Sequence, residues 1–342
     1  MVTKTPLSLN EYASISVAMC TFNGDKYLAD QIQSILSQTL SPDEVVVADD
    51  GSTDLTLQLL ADFANQAPFP VRVIQGGSGP LGVAKNFERA MSVCKGEIVF
   101  LSDQDDIWHV DRLLRTVEAF AGAPTAGYVF TNAEIINSEG FHQLDTLWDR
   151  VGFMGARLAQ FGKGDQVISM LNGNNFTYGL TMAIRQCMMK FILPIDSAAP
   201  TCTHDVWSAL ILSSLGYRGI ALEDCLVRYR QHAGQVVGAG ARRPNHFASI
   251  MRSLRSSREY DNHLPNALDA AARRVRSFAP DFPEAITAAR LLNDKAIHLR
   301  NCAEASRSHL PSRTLIVAKE LIAGRYATFS ASWRTALRDL LA

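Results

Sequence analysis

Short apolar runs alternate with segments of helical periodicity along the first part of this 342-residue chain. The runs are too short for buried helices and are bounded by polar residues, which is typical of strands covered on both faces. Strands and helices that alternate with short connections form a mostly parallel sheet. The sequence therefore predicts a doubly wound, Rossmann-like α/β domain. The predicted strands are 15–19, 44–48, 71–74, 97–101 and 127–131.

Polar side chains follow three of these strands at the point where each strand ends. Open α/β sheets bind their ligands at the carboxyl ends of the strands. Turn or capping chemistry could explain each cluster alone, but it explains three clusters at one edge less easily. We therefore expect a binding site at this edge. The residues are Thr21 and Asn23 after the first strand, Asp49 and Asp50 after the second, and Asp103, Asp105 and Asp106 after the fourth.

The acidic cluster after strand 97–101 predicts a divalent cation. Three carboxylates within four positions repel one another, so a positive partner should join them. Oxygen ligands suit Mg²⁺ or Mn²⁺, and such an ion would carry a diphosphate. An acidic turn that caps the next helix is the alternative.

Further residues near this edge fit a nucleoside or a phosphate. Asp49 or Asp50 could accept a hydrogen bond from a ribose hydroxyl or a base N–H. Lys85 and Asn86 open a predicted helix, and Lys85 could neutralise a phosphate, although a lone lysine is more often a solvated surface residue. The segment 77–82 matches GxGxxG, but it follows the third strand rather than the first, so we interpret it as a loop.

Two segments in the second half of the chain add a candidate base and a candidate metal ligand. Asp205 precedes a predicted helix, whose dipole would keep it ionised as a general base for a hydroxyl nucleophile. A helix cap is the structural alternative, and the nearby His204 and Trp207 also fit ordinary packing. His232 could be a neutral imidazole ligand of the cation, although a lone histidine is more often structural.

The composition is that of a globular protein in a reducing compartment. Hydrophobic residues make up 47% of the chain and charged residues 20%, and no apolar run approaches the roughly 18 residues of a membrane span. Residues 1–12 lack the apolar core of a secretion signal. The six cysteines are scattered without a CxxC pair, which argues against structural zinc. We expect a cytoplasmic protein without a nucleic-acid partner.

Charge divides the chain into two parts. From Ala241 onward there are 17 basic and 9 acidic residues, whereas residues 1–240 contain 16 basic and 25 acidic ones. A glycine-rich segment, 234–240, predicts a linker. We predict an α/β domain over 1–240 and a basic α-helical region over 241–342. The basic helices have two interpretations: they could rest peripherally on the inner face of an anionic membrane, or they could form an arginine-rich solvated face or a homodimer interface.

Five segments, taken in order, carry a resemblance to a known family. They are 15–23, Asp49-Asp50-Gly51-Ser52-Thr53-Asp54, Ser102-Asp103-Gln104-Asp105-Asp106-Ile107-Trp108, His204-Asp205-Val206-Trp207 and Tyr229-Arg230-Gln231-His232. Together they resemble family 2 glycosyltransferases of the GT-A fold, over about residues 14–238. The third and fifth segments are most similar to rhamnosyltransferase-like members. Cys20 stands where many members have proline, but Thr21 is retained.

The resemblance implies a role for each motif. Asp103 would contact the ribose side of the donor, Asp105 and His232 would bind the metal, and Asp205 would deprotonate the acceptor. Asp106 is the alternative metal ligand, because the acidic run is longer than a minimal Asp-x-Asp. The other predicted donor-binding residues are Thr21, Asn23, Asp49, Asp50, Lys85, Asn86 and Gln104. The predicted acceptor-side residues are Trp108, Thr181, His204 and Trp207.

The activity implied by the resemblance is inverting, metal-dependent sugar transfer from a dTDP- or UDP-sugar. The expected donor is dTDP-L-rhamnose, and the expected acceptor is a bacterial cell-surface glycan, such as lipopolysaccharide O-antigen, or a lipid-linked saccharide. A divalent ion neutralises the leaving diphosphate, and one base suffices for a single in-line displacement. The alternatives are a non-catalytic nucleotide-sugar-binding protein and a sugar-1-phosphate nucleotidyltransferase, whose triphosphate loop is poorly matched by residues 20–26.

Overall fold

The computed structural model describes residues 13–76, 79–164, 166–196, 203–235, 263–330 and 333–341. In chain order the elements are β1 (Ile15–Thr21), α1 (Asp25–Leu36), β2 (Glu44–Asp49), α2 (Thr56–Gln66), β3 (Val71–Gln75), α3 (Val83–Met91), β4 (Ile98–Ser102), β5 (Ile107–Trp108), α4 (Arg112–Gly122), β6 (Ala126–Ile136), β7 (His142–Thr146), α5 (Leu147–Val151), α6 (Ala156–Gly162), α7 (Gln166–Leu171), β8 (Met182–Arg185), α8 (Met189–Ile192), α9 (His204–Ser214), β9 (Arg218–Arg230), α10 (His263–Arg276), α11 (Glu284–Arg307), α12 (Leu310–Ile322), α13 (Arg325–Phe329) and α14 (Trp333–Leu341).

The chain divides into two compact units. Unit 1 comprises Met1–Leu147, Thr177–Pro194 and Gly219–Gln235, and unit 2 comprises Trp148–Phe176, Ile195–Arg218 and Val236–Ala342. The predicted domain boundary at residue 240, most of the predicted linker and positions 77 and 78 of the GxGxxG match lie outside the described residues. The division at 240 therefore stays a prediction.

Unit 1 contains the sheet, in the strand order β3-β2-β1-β4-β8-β6-β9-β5, with β7 paired to β6. The pairs β1–β2, β2–β3 and β1–β4 are parallel, whereas β8 is antiparallel to both β4 and β6. The predicted α/β class is confirmed. The parallel arrangement holds for β1 to β4, and the insertion of β8 gives the rest of the sheet antiparallel pairings.

The register of the parallel strands brings the predicted polar clusters to one edge. Every residue of β1 and β4 is buried, as expected for strands covered on both faces. Thr21 lies opposite Asp49 at the ends of β1 and β2, and Met19 lies opposite Ser102 at the end of β4. The loops that follow these three strands therefore begin side by side.

Unit 2 is helical over its described C-terminal part, which confirms the predicted helical region there. A buried cluster of Cys302, Ala305, Val317, Tyr326 and Ala336 joins α11, α12, α13 and α14. Within the described ranges, no helix has both the length and the apolar character needed to cross a membrane.

A buried polar network links these helices. His298 Nδ1 lies 2.8 Å from Glu320 Oε2, and the other carboxylate oxygen accepts hydrogen bonds from Asn301 and Arg325. Burial lowers the pKa of His298, and this effect outweighs the opposing effect of the Glu320 charge. The imidazole therefore stays neutral in the folded chain at a pH where an exposed histidine is already charged.

Replacing Gly96 by alanine should destabilise unit 1. An added Cβ would lie 2.5 Å from the backbone nitrogen of Ser16 and 2.6 Å from the carbonyl carbon of Ile15, and backbone atoms of β1 cannot move aside easily. We expect Gly96→Ala to lower the free energy of unfolding by about 2 kcal/mol. Guanidinium denaturation measures the change. The control is Gly122→Ala at the end of α4, where the new methyl meets nothing within 4 Å, and there we expect about 0–1 kcal/mol of stabilisation.

Protonation of His298 should make stability fall below neutral pH. Its folded pKa is depressed, so the unfolded chain binds a proton near pH 6.5 while the folded chain does not, and stability falls as pH drops through that value. One such proton contributes a slope of at most about 1.4 kcal/mol per pH unit. Between pH 7.5 and 5.5 we expect the denaturation midpoint of His298→Gln to depend less steeply on pH than that of the wild type. His142→Gln, at an exposed position, should keep the wild-type slope; equal slopes in all three proteins would contradict the assignment.

Candidate active site

The carboxylate of Asp49 joins the ends of β1 and β2. Its Oδ1 accepts hydrogen bonds from the hydroxyls of Thr21 (2.8 Å) and Ser52 (2.5 Å), and its Oδ2 accepts the N–H groups of Gly51 (3.0 Å) and Ser52 (2.9 Å). Four acceptor positions are all that an ionised carboxylate offers. In this structure Asp49 therefore fixes the turn that follows β2.

Asp50 performs a similar task for the loop before α3. Its two oxygens accept the backbone N–H groups of Leu81 and Gly82, each at 2.8 Å. Gly82 has a φ of 81°, a conformation that favours glycine at the start of this helix. Each oxygen of Asp50 keeps one acceptor position, so this carboxylate can also take a ligand.

The loop after β1 is bonded to the loops on both sides of it. Asn23 Oδ1 accepts the N–H of Thr53 at 2.8 Å, and the N–H of Asn23 donates to Ser52 Oγ at 2.9 Å. On the other side, Gln104 pairs with the backbone of Phe22 in both directions, at 2.8 and 3.1 Å. The structure thus brings together the three motif loops that the sequence placed at one edge.

The predicted phosphate-side residues lie on α3. Asn86 is buried and donates to the carbonyl of Ala48, while Arg89 donates to Asn86 Oδ1. Lys85 Nζ lies 2.8 Å from Glu88 Oε2, one helical turn away. Asn86 therefore docks the helix onto β2, and Lys85 has an acidic neighbour in this structure. Their roles towards the donor stay predictions.

The two predicted metal ligands are in direct contact. His232 Nε2, beyond the end of β9, lies 2.8 Å from Asp105 Oδ2, in the loop after β4. Both side chains are partly accessible, at 15% and 16%. Among the described residues, no group of three or more histidine, cysteine or acidic side chains is placed to hold a metal. One carboxylate and one imidazole still fit an ion such as Mg²⁺ or Mn²⁺ that takes its remaining ligands from substrate phosphates and water.

Asp106 faces the interior. Its Oδ1 accepts the backbone N–H of Arg230, and its Oδ2 is buried and has no hydrogen-bond partner in the described part of the chain. Burial, followed by the charges of Asp105 and Asp103, raises the pKa of Asp106 well above its usual value. The geometry therefore favours Asp105 over Asp106 as the metal ligand. Asp103 is half-buried at the end of β4.

Arg230 is a residue whose importance the sequence reasoning missed. Its buried guanidinium donates to the carbonyls of Asp105 (2.9 Å) and Ser138 (3.2 Å) and to the carboxylate of Asp30 (2.8 Å). It also lies over the ring of Tyr27, 4.7 Å from the centroid. The available signal was the crowding of three carboxylates, which calls for a buried cation from the chain itself as well as from a metal.

Trp108 is packed inside unit 1. The guanidinium of Arg112 lies 3.9 Å from the centre of its ring, and Phe100 packs on the indole at 6.3 Å. Arg112 is itself buried, which lowers its pKa to about 9 against the opposing charges of Asp106 and Asp103. This is a second buried cation beside the acidic loop. The acceptor-side role of Trp108 stays a prediction.

Thr181 also has a local structural contact. It ends a short 3-10 helix, Gly179–Thr181, and its hydroxyl donates to the carbonyl of Tyr178 at 2.9 Å. The side chain is buried. An acceptor-side role for Thr181 stays a prediction.

The predicted base lies at the start of α9 in unit 2. Asp205 is in the first turn of this helix, and its Oδ1 accepts the N–H of Val206 (2.7 Å) and the hydroxyl of Thr203. His204 and Trp207 are buried, and burial lowers the pKa of His204. The predicted helix and the position of Asp205 at its N-terminus are as expected, and the roles of these three residues stay predictions.

Comparison with known proteins identifies the class of this protein. The sequence profile described as "Glycosyl transferase family 2" matches residues 16–197, more than half of the 342 residues, and includes the loops after β1, β2 and β4. The protein is a glycosyltransferase. The chain belongs to glycosyl transferase family 2, and the predicted GT-A type of α/β fold is confirmed. Family membership does not favour the nucleotidyltransferase or the non-catalytic alternative.

Several relatives are similar over most of the chain. "Uncharacterized glycosyltransferase alr2836" from Nostoc sp. is 27% identical and covers 76% of this chain and 78% of its own. "dTDP-rhamnosyl transferase RfbG" from Shigella flexneri is 25% identical and covers 65% of this chain and 74% of its own. A mannosyltransferase from Pyrobaculum calidifontis, solved with GDP-Man and Mn²⁺, has a TM-score of 0.49 at 19% identity, covering 97% of this chain and 87% of that one.

Removing the guanidinium of Arg230 should loosen the acidic loop and destabilise unit 1. Arg230→Ala leaves buried carbonyl acceptors unpaired, so we expect the free energy of unfolding to fall by about 2–4 kcal/mol. Arg230→Lys keeps the charge but loses the planar set of N–H donors, so its free energy of unfolding should lie between those of the wild type and Arg230→Ala. Chemical denaturation measures both.

The matched control for this prediction is Arg228→Ala, two residues earlier on β9. Arg228 is half exposed and pairs with Glu134 at 3.4 Å, so its loss should cost less than about 1 kcal/mol. Equal losses at positions 228 and 230 would show that the buried contacts of Arg230 have no special importance.

Proposed function

We propose that this chain transfers a sugar from a nucleotide-sugar donor to a hydroxyl group of a bacterial cell-surface glycan or a lipid-linked saccharide, with inversion at the anomeric carbon. The observation that carries this proposal is the contact of Asp105 with His232 beside the loops that follow β1, β2 and β4. Membership of glycosyl transferase family 2 supports the class of reaction. The reaction needs a site for a diphosphate and a base, and the predicted residues supply candidates for both.

Asp105 and His232 would hold a divalent cation, Mg²⁺ or Mn²⁺, together with the donor diphosphate. When bound, such an ion neutralises the charge that develops on the leaving nucleoside diphosphate. The protein's own contribution is to keep the carboxylate and the imidazole oriented. Arg230 bonds the carbonyl of Asp105, and the ring of Tyr27 lies 4.7 Å from the ring of His232.

The nucleoside would lie against the loops that follow β1 and β2. Asp50 is the better candidate for a direct contact, because its oxygens each retain an acceptor position, whereas those of Asp49 are fully used. In this proposal Asp49 acts by holding the turn before the donor arrives. A loop fixed in advance costs less entropy when the ligand binds.

Asp205 would remove the proton from the acceptor hydroxyl. Its position in the first turn of α9 supports this role, because the positive end of the helix dipole lies beside the carboxylate. A single base is sufficient for an inverting displacement, since no second carboxylate has to attack the sugar.

L-rhamnose from dTDP-L-rhamnose is the sugar and donor that we propose. Two observations support it: the rhamnosyltransferase-like forms of the Asp103–Trp108 and Tyr229–His232 segments, and the similarity to a Shigella flexneri protein named as a dTDP-rhamnosyl transferase. The product would belong to the lipopolysaccharide or another surface polysaccharide, assembled on the cytoplasmic side of the membrane.

Substitution of the two key carboxylates should separate donor binding from chemistry. We expect Asp105→Asn to lose the metal-dependent rise in melting temperature that dTDP-L-rhamnose with Mn²⁺ produces, because it removes a metal ligand. Asp205→Asn should keep that rise but lower the rate of dTDP release by about 100-fold or more, because it removes the base. A thermal-shift series and a dTDP-release assay measure the two effects.

The control is Asp224→Asn, which alters a surface carboxylate paired with Arg115 and should change neither quantity. Near-normal turnover by folded Asp205→Asn would contradict the assignment of Asp205 as the base. If another nucleotide sugar raises the melting temperature and dTDP-L-rhamnose does not, the assigned donor is wrong, while the proposed class of reaction is unaffected.

A further inference from the structure

Helix α12 turns an apolar face to the outside. Leu310, Leu315, Leu321 and Ile322 are 63%, 56%, 49% and 87% exposed. At about 100° per residue these four side chains fall within an arc of about 140° on one side of the helix. Large apolar side chains clustered in this way mark an interaction surface rather than ordinary surface composition.

The opposite face of α12 carries the helix's acidic residue. Glu320 is buried beside Val317, and its carboxylate is bonded by Asn301 and Arg325 and paired with His298. The inner face of α12 therefore combines an apolar contact through Val317 with a buried carboxylate, while the larger leucines lie on the outer face. Because the inner face is already fixed by these polar bonds and by the packing of Val317, the exposed leucines are not needed for packing within unit 2.

The charge around the exposed apolar face is positive. Lys319 is exposed at its margin, and Arg307 is exposed shortly before the helix. With Glu320 buried, α12 presents no carboxylate on its exposed side. The wider region 241–342, with 17 basic and 9 acidic residues, has the same sign. An apolar strip with a basic margin is complementary to a surface that is apolar beneath and anionic on top.

Helix α14 adds to the exposed apolar surface of unit 2. Leu337 and Leu341, one helical turn apart, are 45% and 71% exposed, and α14 packs against α12. Both helices are shorter than the roughly 20 residues that a membrane-spanning helix needs. A helix of this length with one apolar face can lie in the plane of a bilayer interface.

We propose that α12 is a docking helix that inserts Leu310, Leu315, Leu321 and Ile322 among the headgroups of an anionic phospholipid bilayer. A second copy of the chain is a poorer occupant of this face. A two-fold symmetric dimer would bring the basic margins of two copies into one interface, to which the exposed side of α12 contributes no carboxylate, and like charges would repel. The surface is independent of the sugar-transfer proposal and can be tested without an activity assay.

Co-sedimentation with vesicles tests this surface. Wild-type protein should pellet with vesicles of phosphatidylglycerol and phosphatidylcholine and should remain in solution with phosphatidylcholine alone. The double variant Leu315→Ser/Ile322→Ser should bind the anionic vesicles at least about tenfold more weakly, because two large side chains no longer enter the bilayer. Lys319→Glu should weaken binding about fivefold or more. All three substituted positions are exposed, so the melting temperature of each variant should stay within about 2 °C of wild type.

The matched control is Leu144→Ser in β7 of unit 1. This leucine is 92% exposed but does not belong to the apolar face of α12, so the variant should bind vesicles like wild type. Wild-type protein that stays in solution with anionic vesicles would overturn the proposal, and so would a double variant that binds them unchanged. A dimer seen by sedimentation velocity and abolished by the double variant, without vesicle binding, would assign the face to a second copy and overturn it equally.

Discussion

The buried guanidinium of Arg230 holds the candidate active site in shape. Three carboxylates crowd the loop after β4, and in a low-dielectric interior their mutual repulsion would open that loop. Arg230 bonds the carbonyl of Asp105, and its own backbone N–H bonds Asp106. Arg112 adds a second buried positive charge from below the loop. Arg230 thus ties the backbone of this loop to β9, although burial and the neighbouring carboxylates still raise the pKa of Asp106. Asp105 and His232 stay partly accessible.

The parallel half of the sheet could be predicted because a strand that is buried on both faces is a nearly continuous apolar run in the sequence. Runs such as 44–48 and 97–101 have few polar interruptions, and nearly every residue of the strands they form is buried. β8 gives no such signal. It is four residues long, and it pairs with β4, more than 80 positions earlier. The parallel pairing of β1 with β4 spans a similar distance, so separation alone does not explain the difference; four residues are too few to indicate which strand β8 joins or in which direction. The mixed segment 132–173 shows no sustained period, so it could not be assigned to the strands and short helices found there.

The candidate site shows a similar limit at the level of single residues. The sequence placed Asp49 and Asp50 at one strand end, but their different uses depend on where backbone N–H groups point. Asp49 accepts from the turn directly after it, whereas Asp50 accepts from Leu81 and Gly82, about thirty positions away. A motif identifies the residues that matter without distinguishing a carboxylate that binds a ligand from one that fixes a loop. Only the hydrogen-bond count makes that distinction.

Charge does different work in the two halves of the sequence. In the acidic part, carboxylates such as Asp49 and Asp50 are buried and accept short hydrogen bonds from named donors. Such interactions are little affected by salt. In the basic part, Lys319 and Arg307 are exposed, and their effect on a distant anionic surface falls off over a Debye length of about 8 Å at physiological ionic strength. The geometry of the candidate site should therefore be insensitive to ionic strength, whereas attraction of α12 to a bilayer should not. The acidic and the basic parts of the chain therefore act through different physics. The buried carboxylates act through hydrogen-bond geometry, and the exposed basic residues act through long-range attraction.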